Sequence, residues 1–130
     1  MFVLSKIFFL GFYLVTASTD MQEKEAWIGQ YQTERAFEGK LHITVIEEDG
    51  YSTLEVMSAN EHYPEEFLEV LNYTFVTPDS IGWNLDWGPS NVTFKGVFKG
   101  NFIVGEMTGT HGANSFKGYW TAAKESARRN

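Results

Sequence analysis

The chain has 130 residues, enough for one domain, and its 17 acidic residues outnumber its ten lysines and arginines to give a formal net charge of −7. This acidity argues against binding to nucleic acid or to an anionic membrane, because both would repel the protein. There is no cysteine, so no disulfide can stabilise the fold, and stability has to come from an aromatic-rich apolar core.

The beginning of the chain is typical of a secretory signal peptide. Lys6 supplies a positive charge, the apolar run 7–17 follows it, and small residues stand at the cleavage positions. A membrane anchor is the alternative, but the run is shorter than the ~20 residues that span a bilayer. The sequence therefore predicts a signal peptide over residues 1–17 and a secreted or periplasmic protein. One β-barrel domain over residues 18–130 would then keep nine basic and 17 acidic residues, a net charge of −8.

The rest of the chain alternates apolar and polar residues, with turn signals at regular spacing, which is an all-β pattern. Residues 62–66 have a proline followed by acids, which suits at most a short helical turn. Short connections favour an eight-stranded antiparallel up-and-down barrel, in which closure removes both sheet edges, while an open two-sheet sandwich is the alternative. The predicted strands are residues 26–34, 40–48, 51–58, 68–76, 81–87, 92–99, 102–109 and 115–123.

Two short turns set the register of their hairpins. Asp49-Gly50 is a type I′ signal, and Gly100-Asn101 is a second two-residue turn. Both registers separate apolar from polar side chains, and the second places Lys95 opposite Glu106 on the outer face. The predicted inner pairs are Val45 with Leu54, Ile43 with Val56, Phe98 with Ile103, Gly96 with Gly105, and Phe94 with Met107.

The remaining hairpins are predicted to place two indoles over two glycines. A loop over residues 88–91 and a turn around residues 111–114 fix their registers. Since a glycine in a strand marks a close approach by another group, the tryptophans are expected to cover the glycines. The predicted pairs are Trp87 with Val92, Leu85 with Phe94, Trp83 with Gly96, Gly109 with Phe116, and Gly105 with Trp120.

The fourth and fifth predicted strands each have an apolar stripe, and both stripes are expected on the inner face of the sheet. The stripes are Leu71, Tyr73 and Phe75 on one strand and Ile81, Trp83 and Leu85 on the other. An odd-length loop over residues 77–79, or a bulge there, would place Tyr73 beside Trp83 on the inner face. Trp87 would share that face, and Asn84 and Asp86 would face solvent. Two interpretations of the tryptophans stay open, because aromatic stripes form either packed cores or the wall of a ligand slot.

Several short motifs together resemble small secreted lipocalin-like (calycin-type) barrel domains. The chain has a W-x-G-x-Y opening at Trp27-Ile28-Gly29-Gln30-Tyr31 and a G-x-W-x-A close at Gly118-Tyr119-Trp120-Thr121-Ala122. Phe94-Lys95-Gly96 and Ile103-Val104-Gly105 lie between them. Residues 82–87 are also locally similar to the G-W-x-x-x-W strand of avidins. The calycin resemblance covers most of the chain after residue 17 and implies a barrel that holds a small apolar ligand in its mouth, without catalytic residues.

The sequence predicts no catalytic residue, no metal site and no cofactor. The histidines His42, His62 and His111 are spread over a strand and two loops, without the tight spacing of metal ligands. The carboxylate runs at residues 47–49 and 65–66 are interpreted as solvated, and no nucleophile–base motif occurs. Asn72 and Asn91 begin N-x-T sequons, which matter only in a eukaryote.

The predicted function is a secreted, non-catalytic β-barrel that binds or sequesters a small apolar or aromatic molecule. The alternative is an acidic protein-interaction module, for example an inhibitor of a basic exported enzyme such as a lysozyme or a protease. An open interior would favour the first function, and a solid core would favour the second. The predicted ligand-binding wall is Tyr31, Tyr73, Trp83, Leu85, Phe94, Phe98, Met107 and Trp120.

Overall fold

A computed structural model describes residues 22–35 and 37–125, so the predicted signal peptide lies outside the described residues. The described chain is all-β and antiparallel, and one curled sheet with the strand order β4-β3-β2-β1-β9-β8-β7-β6-β5 forms a half-barrel. The strands are β1 (Glu23–Thr33), β2 (Glu38–Glu48), β3 (Tyr51–Asn60), β4 (Phe67–Leu68), β5 (Leu71–Val76), β6 (Ser80–Trp87), β7 (Ser90–Lys99), β8 (Phe102–His111) and β9 (Asn114–Lys124).

The count of nine described strands, rather than eight, arises because the predicted strand 68–76 is divided. Its first part, β4, pairs with β3 through Met57 and Leu68, whereas its second part, β5, pairs with β6 through Leu71 and Leu85. Glu69 and Val70 lie between the two parts. The predicted strand therefore pairs with β3 at its start and with β6 afterwards, and it is interrupted between these two pairings.

The helical turn considered for residues 62–66 is not formed. Bends occupy this segment instead, and the Asn60 side chain organises its start. The Asn60 amide oxygen accepts hydrogen bonds from the backbone N–H groups of His62 (2.8 Å) and Tyr63 (2.9 Å). Such a local side-chain cap offers the backbone an alternative to a helix.

Three of the predicted hairpin registers are confirmed. Val45 faces Leu54, Phe98 faces Ile103, and Gly105 faces Trp120, together with the other pairs predicted for these hairpins. At the first turn, Asp49 and Gly50 have φ angles of 54° and 83°. Both central residues of a type I′ turn need a positive φ, so the Asp-Gly signal gave the correct register.

The predicted register of β6 against β7 is wrong by two residues. The turn is the pair Gly88-Pro89, not a four-residue loop, so Trp87 faces Ser90 and Trp83 faces Phe94. Gly88 has a φ of 66°, which a tight hairpin turn with glycine at its first central position requires. Because the error is an even number of residues, the side chains predicted to point inward still do so.

The row of tryptophans over glycines is half confirmed. Gly96 faces Ile81 rather than Trp83, and of the two tryptophans only Trp120 covers the glycines, with Ile103 also packed over Gly96. A Cβ atom on Gly96 would lie 2.6 Å from Trp120 Cζ2, and one on Gly105 would overlap Trp120 Nε1. The same Nε1 donates hydrogen bonds of 3.2 Å to the carbonyl oxygens of Lys95 and Glu106, so the indole lies flat against two strands.

The predicted inner position of Tyr73 is wrong. Four residues separate the paired residues Val76 and Ile81, so Tyr73 pairs with Asn84, stands on the outer face and is 53% exposed. The Thr77 hydroxyl stabilises this loop by accepting hydrogen bonds from the backbone N–H groups of Asp79 and Ser80. A bulge does occur, but at the opposite end of β5, between Leu71 and Tyr73.

Asn84 was expected to face solvent, and it lies on the outer face but is only 6% exposed. Its side-chain nitrogen donates to Asn91 (2.9 Å) and Thr93 (2.8 Å), and its oxygen accepts from Asn72 (2.7 Å). Asp86 is exposed, as predicted. Polar side chains on the two neighbouring strands, β5 and β7, therefore cover the amide that would otherwise meet water.

The interior of the sheet is filled at the level of the tryptophans. Trp83 stacks on Phe94 with ring centroids 4.8 Å apart and planes 10° apart, and it also contacts Trp120 at 5.1 Å. All three side chains are fully buried. Trp83 therefore serves as core, which is the first of the two open interpretations, whereas Trp87 is only partly buried.

Candidate functional site

One end of the half-barrel is open, and we call it the mouth. The connections after β1, β3, β6 and β8 meet there and surround a cavity of about 1560 Å³, the mouth cavity. Arg35, Pro64 and Gly88 line the cavity from the first three connections, and His111, the last residue of β8, lines it next to the fourth. The cavity thus depends on turns that are far apart in sequence and adjacent only in the folded sheet.

The apolar side of the mouth cavity consists of aromatic rings that continue the core. Trp87 and Phe37 pack edge to face with centroids 5.9 Å apart, and both contact the buried ring of Tyr31. Phe116 also lines the cavity and is partly buried. Because these rings are held by the core beneath them, they form a preorganised apolar wall.

The polar centre of the mouth cavity is Glu69, which is 8% exposed although it carries a carboxylate. Ser58 Oγ donates a 2.5 Å hydrogen bond to this carboxylate, and Trp87 Nε1 lies 3.1 Å from both of its oxygens. The Glu69 backbone N–H donates to the Val56 carbonyl at 2.8 Å. The link between β4 and β5 therefore turns this side chain inward, toward β3 and β6.

Tyr31 places a buried hydroxyl beside this carboxylate. Its Oη has no hydrogen-bond partner among the described residues. Burial raises the pKa of Tyr31 to about 12; Asn60, though outside hydrogen-bonding geometry, lowers it, and the charge of Glu69 raises it. A Cβ atom on Gly39 would lie 2.5 Å from Tyr31 Oη, so the glycine leaves room for the ring.

Acidic side chains dominate the rim of the mouth cavity. Glu65, Glu66 and Asp86 line it together with one guanidinium, that of Arg35. His111 Nδ1 lies 2.7 Å from Ser90 Oγ, and this pair is exposed. Over residues 22–35 and 37–125, no three His, Asp or Glu side chains are grouped as a metal site would need.

None of the eight residues predicted as a ligand-binding wall lines the mouth cavity. Six of them are brought together, but as fully buried core, and Tyr73 lies on the outer face. Phe98 is partly buried near the other end of the sheet, where its ring packs on Trp27 at 5.5 Å. The six core residues are Tyr31, Trp83, Leu85, Phe94, Met107 and Trp120.

The sequence analysis missed Phe37, Ser58, Glu69 and Phe116 as site residues. The sequence did contain a signal for Glu69. This residue precedes Leu71 by two positions, so in the predicted strand both side chains point to the same face. A carboxylate in phase with an apolar stripe is unusual, since Glu is almost never buried without a partner. Phe37 and Ser58 carry no comparable pattern.

The comparisons with known proteins add no relative. No protein-family model matches the chain, and no curated protein or solved structure is detectably similar to it. The half-barrel is compatible with the barrel that the lipocalin-like resemblance implies, and membership of that family stays a prediction. In the part of the chain that the structure describes, no helix is long and apolar enough to cross a membrane.

Proposed function

We propose that the protein is a non-catalytic binding protein that takes a small, largely apolar molecule into the mouth cavity. The observation that carries this proposal is the open cavity of about 1560 Å³, with the aromatic wall of Trp87, Phe37 and Phe116 and a buried polar centre. Ligand pockets are typically concave and mostly apolar, with a few fixed polar groups that orient the ligand.

The packing of the core determines where such a ligand binds. Trp83, Phe94 and Trp120 fill the interior, so a ligand enters only as far as Trp87. The proposal does not include catalysis, because the Ser58 hydroxyl beside Glu69 is 2% exposed and a substrate carbon cannot reach it.

The test is a titration with N-phenyl-1-naphthylamine, a neutral probe that fluoresces in apolar surroundings. The probe should bind and accept excitation energy from Trp87, which lines the cavity, more strongly than from the three buried tryptophans. Phe116→Ser removes part of the apolar wall and should weaken probe binding about fivefold, which corresponds to roughly 1 kcal/mol of lost contact.

Phe102→Ser is the matched control, because Phe102 lies on the outer face of β8 and is exposed. This variant should leave the affinity for the probe unchanged. The proposal is wrong if the probe does not bind, or if both serine variants lower its affinity equally, since the second result would indicate binding to exposed apolar side chains in general.

The acidic interaction module has one observation in its favour. At the end opposite the mouth, Glu23 and Glu47 stand directly opposite each other, and Glu48 and Asp49 follow. Like charges in direct cross-strand pairs are destabilising, which favours a role in attracting a basic partner. Glu47→Gln should then weaken capture of a basic secreted enzyme such as lysozyme at low salt, and unchanged capture would contradict this alternative.

A further inference from the structure

We propose that the mouth cavity is specific for organic cations, with an ammonium group that pairs with Glu69 and an apolar body that lies against Trp87 and Phe37. This inference rests on the proposed function, because it names the ligand class of the same cavity. It is carried by the charge of Glu69, by the aromatic rings around it and by the charges on the rim.

Glu69 is a buried charge to which the described residues supply only neutral donors. Its carboxylate accepts from the hydroxyl of Ser58 and the indole of Trp87. None of the ion pairs formed within residues 22–35 and 37–125 includes Glu69. Since taking a carboxylate out of water is costly without an opposite charge, the site favours a ligand that brings one.

The Tyr31 side chain lies near Glu69 but does not supply the opposite charge. The Tyr31 hydroxyl is close enough for Glu69 to raise the pKa of Tyr31, yet it is buried and forms no hydrogen bond with any residue that the structure describes. A phenol with a pKa of about 12 is neutral at physiological pH. The protein therefore surrounds the carboxylate with dipoles and leaves its neutralisation to the occupant of the cavity.

The aromatic rings suit the same ligand. Trp87 both donates to Glu69 and lines the cavity, and Phe37 packs against its ring. Trp87 turns its N–H edge toward the carboxylate, so these rings contribute burial of the ligand's apolar atoms rather than a contact between the cation and a ring face. With an ammonium group at Glu69, the apolar body of the ligand would lie against this ring system.

The rim charges point in the same direction. Among the described residues, Glu65, Glu66, Glu69 and Asp86 line the cavity against the guanidinium of Arg35, a net charge of −3 when the histidines are neutral. A concave site with carboxylates of one sign concentrates cations and repels anions. An anionic ligand such as a fatty acid would meet repulsion at the rim and again at Glu69.

The test compares three probes of one shape and different charge by isothermal titration calorimetry at neutral pH and low salt. They are 2-(1-naphthyl)ethylamine, which is cationic, 2-(1-naphthyl)ethanol, which is neutral, and 1-naphthylacetate, which is anionic. The amine should bind about tenfold more tightly than the alcohol, since a hydrogen bond to a charged group is worth more than one between neutral groups. The anion should bind most weakly.

Three variants localise the effect. Glu69→Gln keeps a side-chain acceptor for Ser58 and Trp87, and it should abolish the preference for the amine over the alcohol. Glu65→Gln, which removes an exposed carboxylate from the rim of the same cavity, is the matched comparison: it should weaken amine binding only about twofold and keep most of that preference. Arg35→Gln removes the opposing charge and should strengthen amine binding about twofold.

The outcomes separate the two proposals. If no probe binds, including N-phenyl-1-naphthylamine, the proposed function fails. If the alcohol binds as tightly as the amine to the unmodified protein, the cavity is functional and the cation inference is overturned, whether or not Glu69→Gln folds. Equal loss of preference in Glu65→Gln and Glu69→Gln would also overturn it, because the rim would then act without Glu69.

Discussion

Replacing Gly105 with alanine is the sharpest test of the packing in the half-barrel. Gly105 lies in the middle of β8, opposite Trp120, and the indole of Trp120 covers it. A Cβ atom at this position would overlap Nε1 and Cε2 of Trp120 and lie 2.5 Å from the Lys95 carbonyl oxygen. These neighbours are a ring packed in the core and a backbone atom, so neither can move cheaply.

The expected cost combines two effects. Overpacking a core typically destabilises by ~1–3 kcal/mol, and displacement of the indole would also weaken the hydrogen bonds from Trp120 Nε1 to Lys95 and Glu106. A buried donor that loses its partners costs a further ~1–3 kcal/mol. We therefore expect Gly105→Ala to lower the free energy of unfolding by roughly 2–6 kcal/mol. Glycine weakens a strand interior, so strand propensity alone predicts the opposite sign.

The assay is urea unfolding followed by tryptophan fluorescence and circular dichroism. Gly96→Ala is the matched comparison, since its Cβ atom would lie 2.6 Å from Trp120 Cζ2 and 2.8 Å from Ile103 Cγ2 without striking the donor nitrogen. It should destabilise less than Gly105→Ala. A double-mutant cycle of Gly105→Ala with Trp120→Phe should show a favourable coupling, because the smaller ring relieves part of the overlap.

A stabilised or unchanged Gly105→Ala variant would refute this packing. So would a larger cost at Gly96 than at Gly105, or a double-mutant cycle with no coupling. The last result would mean that the cost does not come from Trp120, and the register of β8 against β9 would have to be different.

Two further predictions concern the remaining buried polar groups. Because burial raises the pKa of Tyr31 from 10.0 to about 12, the neutral phenol stabilises the fold below pH 10, and this contribution should be lost as the pH rises from 10 to 12. Urea unfolding of Tyr31→Phe should show a weaker loss of stability over that range, and equal losses in both proteins would contradict the assignment. Asn84→Ala removes an amide bonded to three side chains and should cost about 2 kcal/mol, whereas the exposed Asp86→Ala should change the unfolding free energy by less than about 0.5 kcal/mol. Similar effects of the two changes would show that Asn84 is not buried.

The clearest of the hairpins that the sequence predicted correctly has turn residues that fit only one type of turn. Asp49-Gly50 admits a single tight turn, and the alternation on both sides of it agrees with that register. The segment after Trp87 contains Gly, Pro, Ser and Asn in succession, and each suits a turn. A loop of four residues and a turn of two keep the same side chains inward, so the alternation could not distinguish them.

The error at Tyr73 has a different physical cause. An aromatic stripe was interpreted as core, but Tyr73 and Phe75 are on the outer face of β5, where the Phe75 ring covers Gly82. A bulge near Asn72 changes the face of every following residue in the strand. No local residue pattern marks that bulge, because it depends on how β5 meets β6.

The mouth cavity could not be predicted, because its polar centre depends on the break between two strands. Glu69 belongs to neither β4 nor β5, and at this break its carboxylate reaches Ser58 on β3 and Trp87 on β6. It therefore links the two strands that the divided segment connects. A glutamine oxygen could accept from the same two donors, so the structural link requires an acceptor but not a charge. A small change in unfolding free energy for Glu69→Gln, together with the loss of amine preference, would assign the link to the fold and the charge to the ligand.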